Sequence, residues 1–289
     1  MKPAAFIFHR AATLDDALAL LADHPEAKPL AGGQSLIPAM NFRLAHPAAL
    51  VDLNGVRELA GIAATADGGL RIGAMTRHLA VERSDLVRQR SPLLAETMPH
   101  VAHPQIRSRG TIGGSLAHAD PSAELPAVMI ALDARFQLRA RGADRWVRAT
   151  DFFTGLFATA LAPGELLTAI EIPSRAARAG SAFLEVARRH GDYALAGVAV
   201  ELSLDAAGRI SRAWIALLSV GDGPVLTAAS GSLVGQDASA ANILATAELV
   251  RAEVDPPSDI HADAAYRRQL AAVLTRRALT IAAERARTA

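Results

Sequence analysis

The sequence predicts an α+β chain in two units: an N-terminal unit in which helices and strands alternate, and a C-terminal unit of antiparallel strands closed by two helices. Three observations predict this. Apolar spacing changes repeatedly between helical and strand periods before Pro173. The run Ser174-Arg175-Ala176-Ala177-Arg178-Ala179-Gly180 is small, charged and aperiodic, which marks a boundary and divides the chain into 1–176 and 177–289. Beyond it, strand-like runs joined by Gly-containing turns precede two long helical patterns, consistent with a three-stranded antiparallel sheet and helices. With 289 residues at 51% hydrophobic content, the chain has apolar material for proper cores in both units.

Taken in order, Thr13 caps an acidic first turn, and Leu14, Ala17, Leu18 and Leu21 share one face of an amphipathic helix. Lys28-Pro29-Leu30-Ala31 is a short strand entering a glycine loop, and Ser35 with Pro38 signals a new helical turn. Strands follow at 49–53 and 69–74, then a helical pattern from Thr76 to Pro99 with Leu79, Val81, Leu86, Leu93, Leu94 and Met98 lining a core. After a second glycine loop come a short apolar helix at 124–131, an alternating strand at 135–139, and a strand at 166–173 stopped by proline. The C-terminal unit opens with strands at 182–188, 194–205 and 210–218. Helices over 238–251 and 262–287 finish it, the last with Tyr266, Leu270, Val273, Leu274 and Ile281 on its apolar stripe. The arginines at 267, 268, 276, 277, 285 and 287 fall on what is expected to be that helix's solvated face.

Composition narrows the function. Thirty basic against twenty-nine acidic side chains, a net charge of +1 and no long block of like charge leave no electrostatic footprint for nucleic acid. The longest apolar runs fall far short of the ~20 residues of a membrane span, and no basic segment followed by an apolar core opens the chain. A soluble, cytoplasmic protein with no integral membrane segment is expected. Cysteine is absent, which excludes thiolate catalysis, thiolate zinc sites and any cysteine-ligated iron–sulfur cluster on this polypeptide.

The chemistry concentrates at two glycine pairs about eighty residues apart, Gly32-Gly33 in Ala31-Gly32-Gly33-Gln34-Ser35 and Gly113-Gly114 in Arg109-Gly110-Thr111-Ile112-Gly113-Gly114-Ser115. Each pair follows an apolar stretch and precedes a small hydroxyl residue, so backbone N–H groups are expected to face an anion with no Cβ in the way. Two such loops suit a pyrophosphate held from both sides, hence a dinucleotide. A single Gly-Gly before Ser is commonly just a tight turn. The spacing matches neither G-x-G-x-x-G nor a P-loop, which argues against a Rossmann site or an NTPase.

The flanking residues carry a resemblance. Ala31-Gly32-Gly33-Gln34-Ser35-Leu36 with Asn41-Phe42-Arg43-Leu44, Arg107-Ser108-Arg109-Gly110-Thr111-Ile112-Gly113-Gly114-Ser115-Leu116 with Asp120-Pro121, the strand 165–173, and Arg188-Arg189-His190-Gly191-Asp192-Tyr193-Ala194 lie in order along nearly the whole chain. Together they resemble the FAD-binding medium subunits of molybdenum hydroxylases, the carbon monoxide dehydrogenase and xanthine dehydrogenase family. The resemblance implies an FAD-binding PCMH-type domain, vanillyl-alcohol-oxidase-like and made of two α/β subdomains, over 1–176. It implies a C-terminal domain of the carbon monoxide dehydrogenase flavoprotein type over 177–289.

It also implies the cofactor contacts. Ala31, Gly32, Gly33, Gln34, Ser35 and Leu36 would hold FAD on one side and Thr111, Ile112, Gly113, Gly114 and Ser115 on the other. Ala102 and Glu124 would lie near the cofactor, Glu124 accepting from a ribityl or ribose hydroxyl, and Tyr193 would cover one face of the isoalloxazine. Two positions depart from the family pattern: Gln34, where carbon monoxide-oxidising members tend to carry histidine, and Leu184, in a stretch where related xanthine dehydrogenases can present a lysine. The implied role is electron transfer in an oxidoreductase complex, with no acid or base required of this chain and hence no catalytic residue. Molybdopterin would sit on a large partner and [2Fe-2S] clusters on a small one, which agrees with the missing cysteines, and the assembly implied is a dimer of heterotrimers. The alternatives are a self-sufficient FAD-dependent oxidase or reductase and a nucleotide-binding module without redox work.

Two other constellations carry less. His100-Val101-Ala102-His103 is bracketed by prolines and lacks an acidic third ligand, so it is expected to be loop rather than metal site, and no metal is expected. Gly113-Gly114-Ser115-Leu116-Ala117 approaches a nucleophile elbow, but Ala117 stands where the last glycine belongs. His118 and Asp120 are expected as loop neighbours of the cofactor.

Overall fold

The computed structural model describes residues 2–289. Its first layer is a parallel three-stranded sheet, built from β1 (Ile7–Arg10), α1 (Leu14–Asp23), β2 (Ala27–Leu30), α2 (Leu36–Asn41) and β3 (Ala49–Asp52), in strand order β1-β3-β2. The Thr13 hydroxyl accepts the Asp16 N–H at the start of α1, and Leu14, Ala17, Leu18 and Leu21 pack on the sheet. β1 escapes sequence reasoning because it is an edge strand: Ile7 and Phe8 are both exposed, so it lacks the alternation of a half-buried strand.

The second subdomain holds a five-stranded antiparallel sheet. Its elements are β4 (Ile62–Ala64), β5 (Leu70–Gly73), α3 (His78–Arg83), α4 (Asp85–Arg90), α5 (Pro92–Thr97), α6 (Pro104–Arg107), α7 (Ile112–His118), α8 (Glu124–Ala131), β6 (Arg135–Ala140), β7 (Ala143–Arg148), α9 (Ala149–Phe152), β8 (Phe153–Gly155), β9 (Ala158–Thr159) and β10 (Leu166–Ile172). The sheet order is β4-β5-β10-β6-β7, with β8 and β9 in a separate small ribbon. The helical pattern expected from Thr76 to Pro99 is broken into α3, α4 and α5. Ser84 ends one helix and caps the next through Val87 N–H, and Pro92 restarts the third. α8 is buried on every side and packs between this subdomain and the next sheet, so its apolar surface carries no stripe.

The C-terminal unit consists of β11 (Ala179–Ala187), β12 (Ala194–Leu204), β13 (Ile210–Leu218), β14 (Val225–Leu226), α10 (Ala240–Glu253) and α11 (Ala264–Thr288). The three expected strands are joined by a two-residue fourth, β14, at the edge of the antiparallel sheet. α11 lies across β11 and β12 on an alanine-rich face, and Gly180 admits the helix backbone at Ala282, where no Cβ would fit. The core beneath β12 and β13 is continuous with that around α8, through Phe183, Ala199, Ala216 and Leu218.

The apolar face of α11 carries Leu270 and Leu274 inward as expected but departs from expectation at its first turn. Tyr266 is exposed, whereas Arg267, expected on the solvated face, is buried. Its guanidinium donates to the carbonyls of Leu195 (2.5 Å) and Ser219 (3.3 Å) and pairs with Asp259 at 2.6 Å, so it satisfies the start of β12 and the end of β13 from beneath. Arg285 is exposed, as expected, and from the surface reaches Glu96 of the N-terminal unit at 2.6 Å. No helix among the described residues is long and apolar enough to cross a membrane.

Candidate functional site

The first glycine segment leaves β2 at Leu30 and enters α2 at Leu36. Gly33 takes φ +73°, a left-handed turn that suits glycine. The backbone N–H groups of Gly32, Gly33, Gln34, Ser35 and Leu36 meet no protein acceptor among the described residues. The Gln34 side chain folds back to donate to Gly32 O at 3.2 Å. A row of unpaired amides at a turn is an anion-binding concavity.

The second segment is built differently. It is no open loop: Thr111 is the N-cap of α7, and Gly113 and Gly114 lie in its first turn. Gly114 N–H donates to Thr111 Oγ1 (3.1 Å) and Ser115 N–H to Thr111 O (3.1 Å). Ile112 N–H donates to Thr76 O (3.0 Å) and Gly113 N–H to Ala74 O (2.8 Å). These amides are therefore already engaged, contrary to the expectation that they face an anion. A Cβ on Gly113 would stand 2.4 Å from Ala74 Cβ, so glycine is needed there for α7 to press against the chain leaving β5. What this side offers a ligand is the half-buried Ser115 hydroxyl and the positive end of α7, while buried Thr111 uses its hydroxyl on the cap.

The fold brings the two segments into contact. A Cβ on Gly32 would lie 2.4 Å from Arg109 O and 2.8 Å from Gly110 Cα, and one on Gly114 would lie 3.3 Å from Ala31 Cβ. Side chains that sequence reasoning did not single out join them further. Asn54 Nδ2 donates to Ala31 O (3.0 Å), while Arg77 donates to Asn54 Oδ1 (2.7 Å) and to Arg109 O. The available signal was slight: Asp52-Leu53-Asn54 after an apolar strand suits a polar turn, and Arg77 has no motif at all.

Ala102, Glu124 and Tyr193 form a second group. Ala102 takes φ +47°, and its carbonyl accepts from Arg107 Nη1 at 2.9 Å. The same buried guanidinium holds Val101 O and pairs with Glu82 at 2.7 Å, which anchors the turn. Gly191, two residues before Tyr193, sits against this turn: a Cβ there would be 2.5 Å from the His103 ring and 3.0 Å from Ala102 O. Tyr193 is 62% exposed, so its ring has a free face. Partial desolvation of the phenol, then the charges of Asp120 and Glu124, raise its pKa.

Glu124, at the start of α8, is buried, and that burial with the nearby charge of Glu185 pushes its carboxyl up to about 7. Glu185 pairs with His100 Nδ1 at 3.2 Å, and this bond raises the imidazole pKa. His100 is thus tied to the C-terminal sheet rather than to His103. His118 stacks at a tilt on Phe157, 5.1 Å between centroids. α7, about 10 Å long at 1.5 Å per residue, leads from the amide-rich contact toward Asp120 and Glu124.

An open amide row apposed to a helix N-terminus from a second subdomain, with a free aromatic face and a buried carboxyl further along, defines an α+β protein built to bind a dinucleotide. Residues 4–175 match the FAD binding domain in molybdopterin dehydrogenase, and residues 181–282 match the CO dehydrogenase flavoprotein C-terminal domain. The 6-hydroxypseudooxynicotine dehydrogenase complex subunit alpha of Paenarthrobacter nicotinovorans is 41% identical, with 99% of this chain and 97% of that protein aligned. The carbon monoxide dehydrogenase medium chain of Afipia carboxidovorans is 40% identical over 99% of this chain and 100% of that one. The solved structure of reconstituted CO dehydrogenase from Oligotropha carboxidovorans contains a chain that superposes with a TM-score of 0.95 at 40% identity, covering 99% of this chain and 100% of the other. The chain belongs to the family of FAD-binding medium subunits of molybdopterin-dependent dehydrogenases.

Proposed function

We propose that this chain is the FAD-binding electron-transfer subunit of a molybdenum hydroxylase complex. The observation that carries the proposal is the row of unpaired amides from Gly32 to Leu36, apposed to the N-terminus of α7. Those groups fit a pyrophosphate without rearrangement, since no protein bond must break to free them.

The residues divide the work of holding the cofactor. Gly32, Gly33, Gln34, Ser35 and Leu36, with Ala31 behind them, would bind phosphate oxygens through N–H groups, and Ser115 would add a hydroxyl donor. Thr111, Ile112, Gly113 and Gly114 would act by shaping and capping α7. Glu124, its carboxyl pushed up to about 7 by burial, would accept from a ribityl or ribose hydroxyl of the cofactor. Ala102 would press on the cofactor from its Arg107-held turn, and Tyr193 would shield one flavin face. Bound FAD would supply the redox chemistry, taking electrons singly from iron–sulfur clusters and delivering them to a final acceptor.

With no cysteine, this chain depends on a partner for those clusters. The names of the relatives, medium chain and complex subunit among them, support a large subunit with the molybdenum cofactor and a small [2Fe-2S] subunit. We assign the division at 1–176 and 177–289, a dimer of heterotrimers as the assembly, and a cytoplasmic site of action. A self-sufficient oxidase would need its own catalytic pair beside the flavin. The test is the visible spectrum of the purified chain, expected to show bound FAD near one per chain, with no dehydrogenase turnover until the two partners are added. A chain that stays colourless with FAD supplied, or one that turns over organic substrate alone, overturns the proposal.

A further inference from the structure

The two glycine segments belong to different subdomains, and their backbones approach closely where Gly32 meets Arg109 and Gly110. That contact has no hydrogen bond of its own. A side-chain relay supplies one. Arg10 Nε lies 3.5 Å from Asp52 Oδ2, and Asp52, buried at the end of β3, accepts the Asn54 N–H at 3.0 Å and the Asn54 amide at 2.5 Å. Asn54 Nδ2 also donates to Ala31 O at 3.0 Å. Arg77 has donors only, so Asn54 must present Oδ1 to it, and the 2.7 Å contact fixes which way the amide faces. The second arm of the same guanidinium reaches Arg109 O.

We propose that Asn54 and Arg77 are positioning residues of the cofactor site, a clamp that sets the spacing and peptide orientation of the two glycine segments and thereby the affinity for the dinucleotide. The inference rests on the FAD-binding reading. Its physical basis is the rigid trans peptide: fixing Ala31 C=O toward Asn54 aims the Gly32 N–H of the same peptide the opposite way. Without the clamp, the Ala31 and Arg109 carbonyls are released beside the position of an anion, where an oxygen repels it. The fork of Arg77 matters as well as its charge, because one planar group bonds two acceptors in fixed directions and an ammonium does not.

The full-length chain, stripped of flavin, is titrated with FAD by fluorescence, and the 31P resonances of bound FAD are recorded. Asn54→Ala and Arg77→Met are each expected to weaken binding by about tenfold, the scale of losing a hydrogen bond to or from a charged group, and to shift the 31P signals. The double variant should be little worse than either single one, since the relay is broken once. Arg77→Lys should fail to restore binding, and the isosteric Asn54→Asp should also weaken it, because an oxygen then faces Ala31 O. The thermal midpoint of the flavin-free variants should move by no more than about 3 °C.

Full affinity in Arg77→Lys would show that charge alone suffices, and additive losses in the double variant would show two independent contacts. Either result overturns the clamp while leaving FAD binding intact. Failure of the native chain to bind FAD overturns the functional reading and the clamp together.

Discussion

The two glycine segments look alike in sequence and do opposite work. The segment at Gly32-Gly33 keeps its amides unpaired and spends its glycines on a left-handed turn and a close approach to Arg109. The segment at Gly113-Gly114 keeps nothing in reserve: its amides bond Ala74, Thr76 and Thr111, and Gly113 lets a helix sit on the chain leaving β5. On the proposed reading, one side is a ligand surface and the other its structural wall. A glycine can be demanded by an absent ligand or by a present neighbour, and only the neighbour's distance separates the cases.

The largest effect that can break this comparison is expected from Gly113→Val. The new Cβ would meet Ala74 Cβ, Cα and O at 2.4 to 2.8 Å, two of them backbone atoms, so α7 must move. The flavin-free chain should lose at least about 3 kcal/mol, at or beyond the upper end of ordinary overpacking, and a urea melt measures it. If Gly113→Val were as stable as the native chain without FAD and merely failed to bind it, the wall would be a ligand surface after all.

A pH series sharpens the same contrast, because His78 lies under the second segment alone. A Cβ on Gly110 would lie 2.9 Å from His78 Nδ1, and both ring nitrogens are buried. Burial, helped by the nearby Arg107 and Arg77 cations and opposed by a backbone bond at Thr111, lowers its pKa from 6.5 to about 4. Between those values the unfolded chain carries a proton that the native chain refuses, so stability falls as pH drops through the window. The full loss is about 3 kcal/mol at 1.36 kcal/mol per unit. Urea midpoints from pH 7 to pH 4 should therefore slope less in His78→Leu than in the native chain. Equal slopes would mean that the imidazole titrates freely and that the wall is loose.

How much of this was legible in the sequence follows from what each signal depends on. α1, α8, β6, β10 and the three long C-terminal strands rest on local periodicity or apolar runs and are found close to their expected bounds. β7 was hidden because nearly all of its residues are exposed, leaving no alternation, and α3, α4 and α5 merged because the breaks at Ser84 and Ser91 carry no glycine to mark them. The glycine pairs marked where the site is. They did not tell which amides are free, since that depends on Ala74 and Thr76, remote in sequence. Arg267 shows the same limit: an arginine on a helix looks solvated until the carbonyls of Leu195 and Ser219 arrive above it.

The smallest effect on stability, and the sharpest on function, is expected from Gly33→Ala. A Cβ there would find only the flexible side chains of Ile37 and Leu30, at 3.2 and 3.4 Å, so packing opposes it little. The cost is the left-handed φ of +73°, about 1 kcal/mol for an L-residue. To escape that strain the peptide can rotate, which redirects the Gly33 and Gln34 amides out of the row. FAD affinity should then fall by about tenfold or more while the flavin-free chain loses only that ~1 kcal/mol, the reverse of the pattern expected for Gly113→Val. Calorimetric FAD titration beside a urea melt of the same variant decides it. A Gly33→Ala chain that binds FAD as the native chain does would mean that the open amides are not what holds the pyrophosphate, and the division into ligand surface and wall would have to be redrawn.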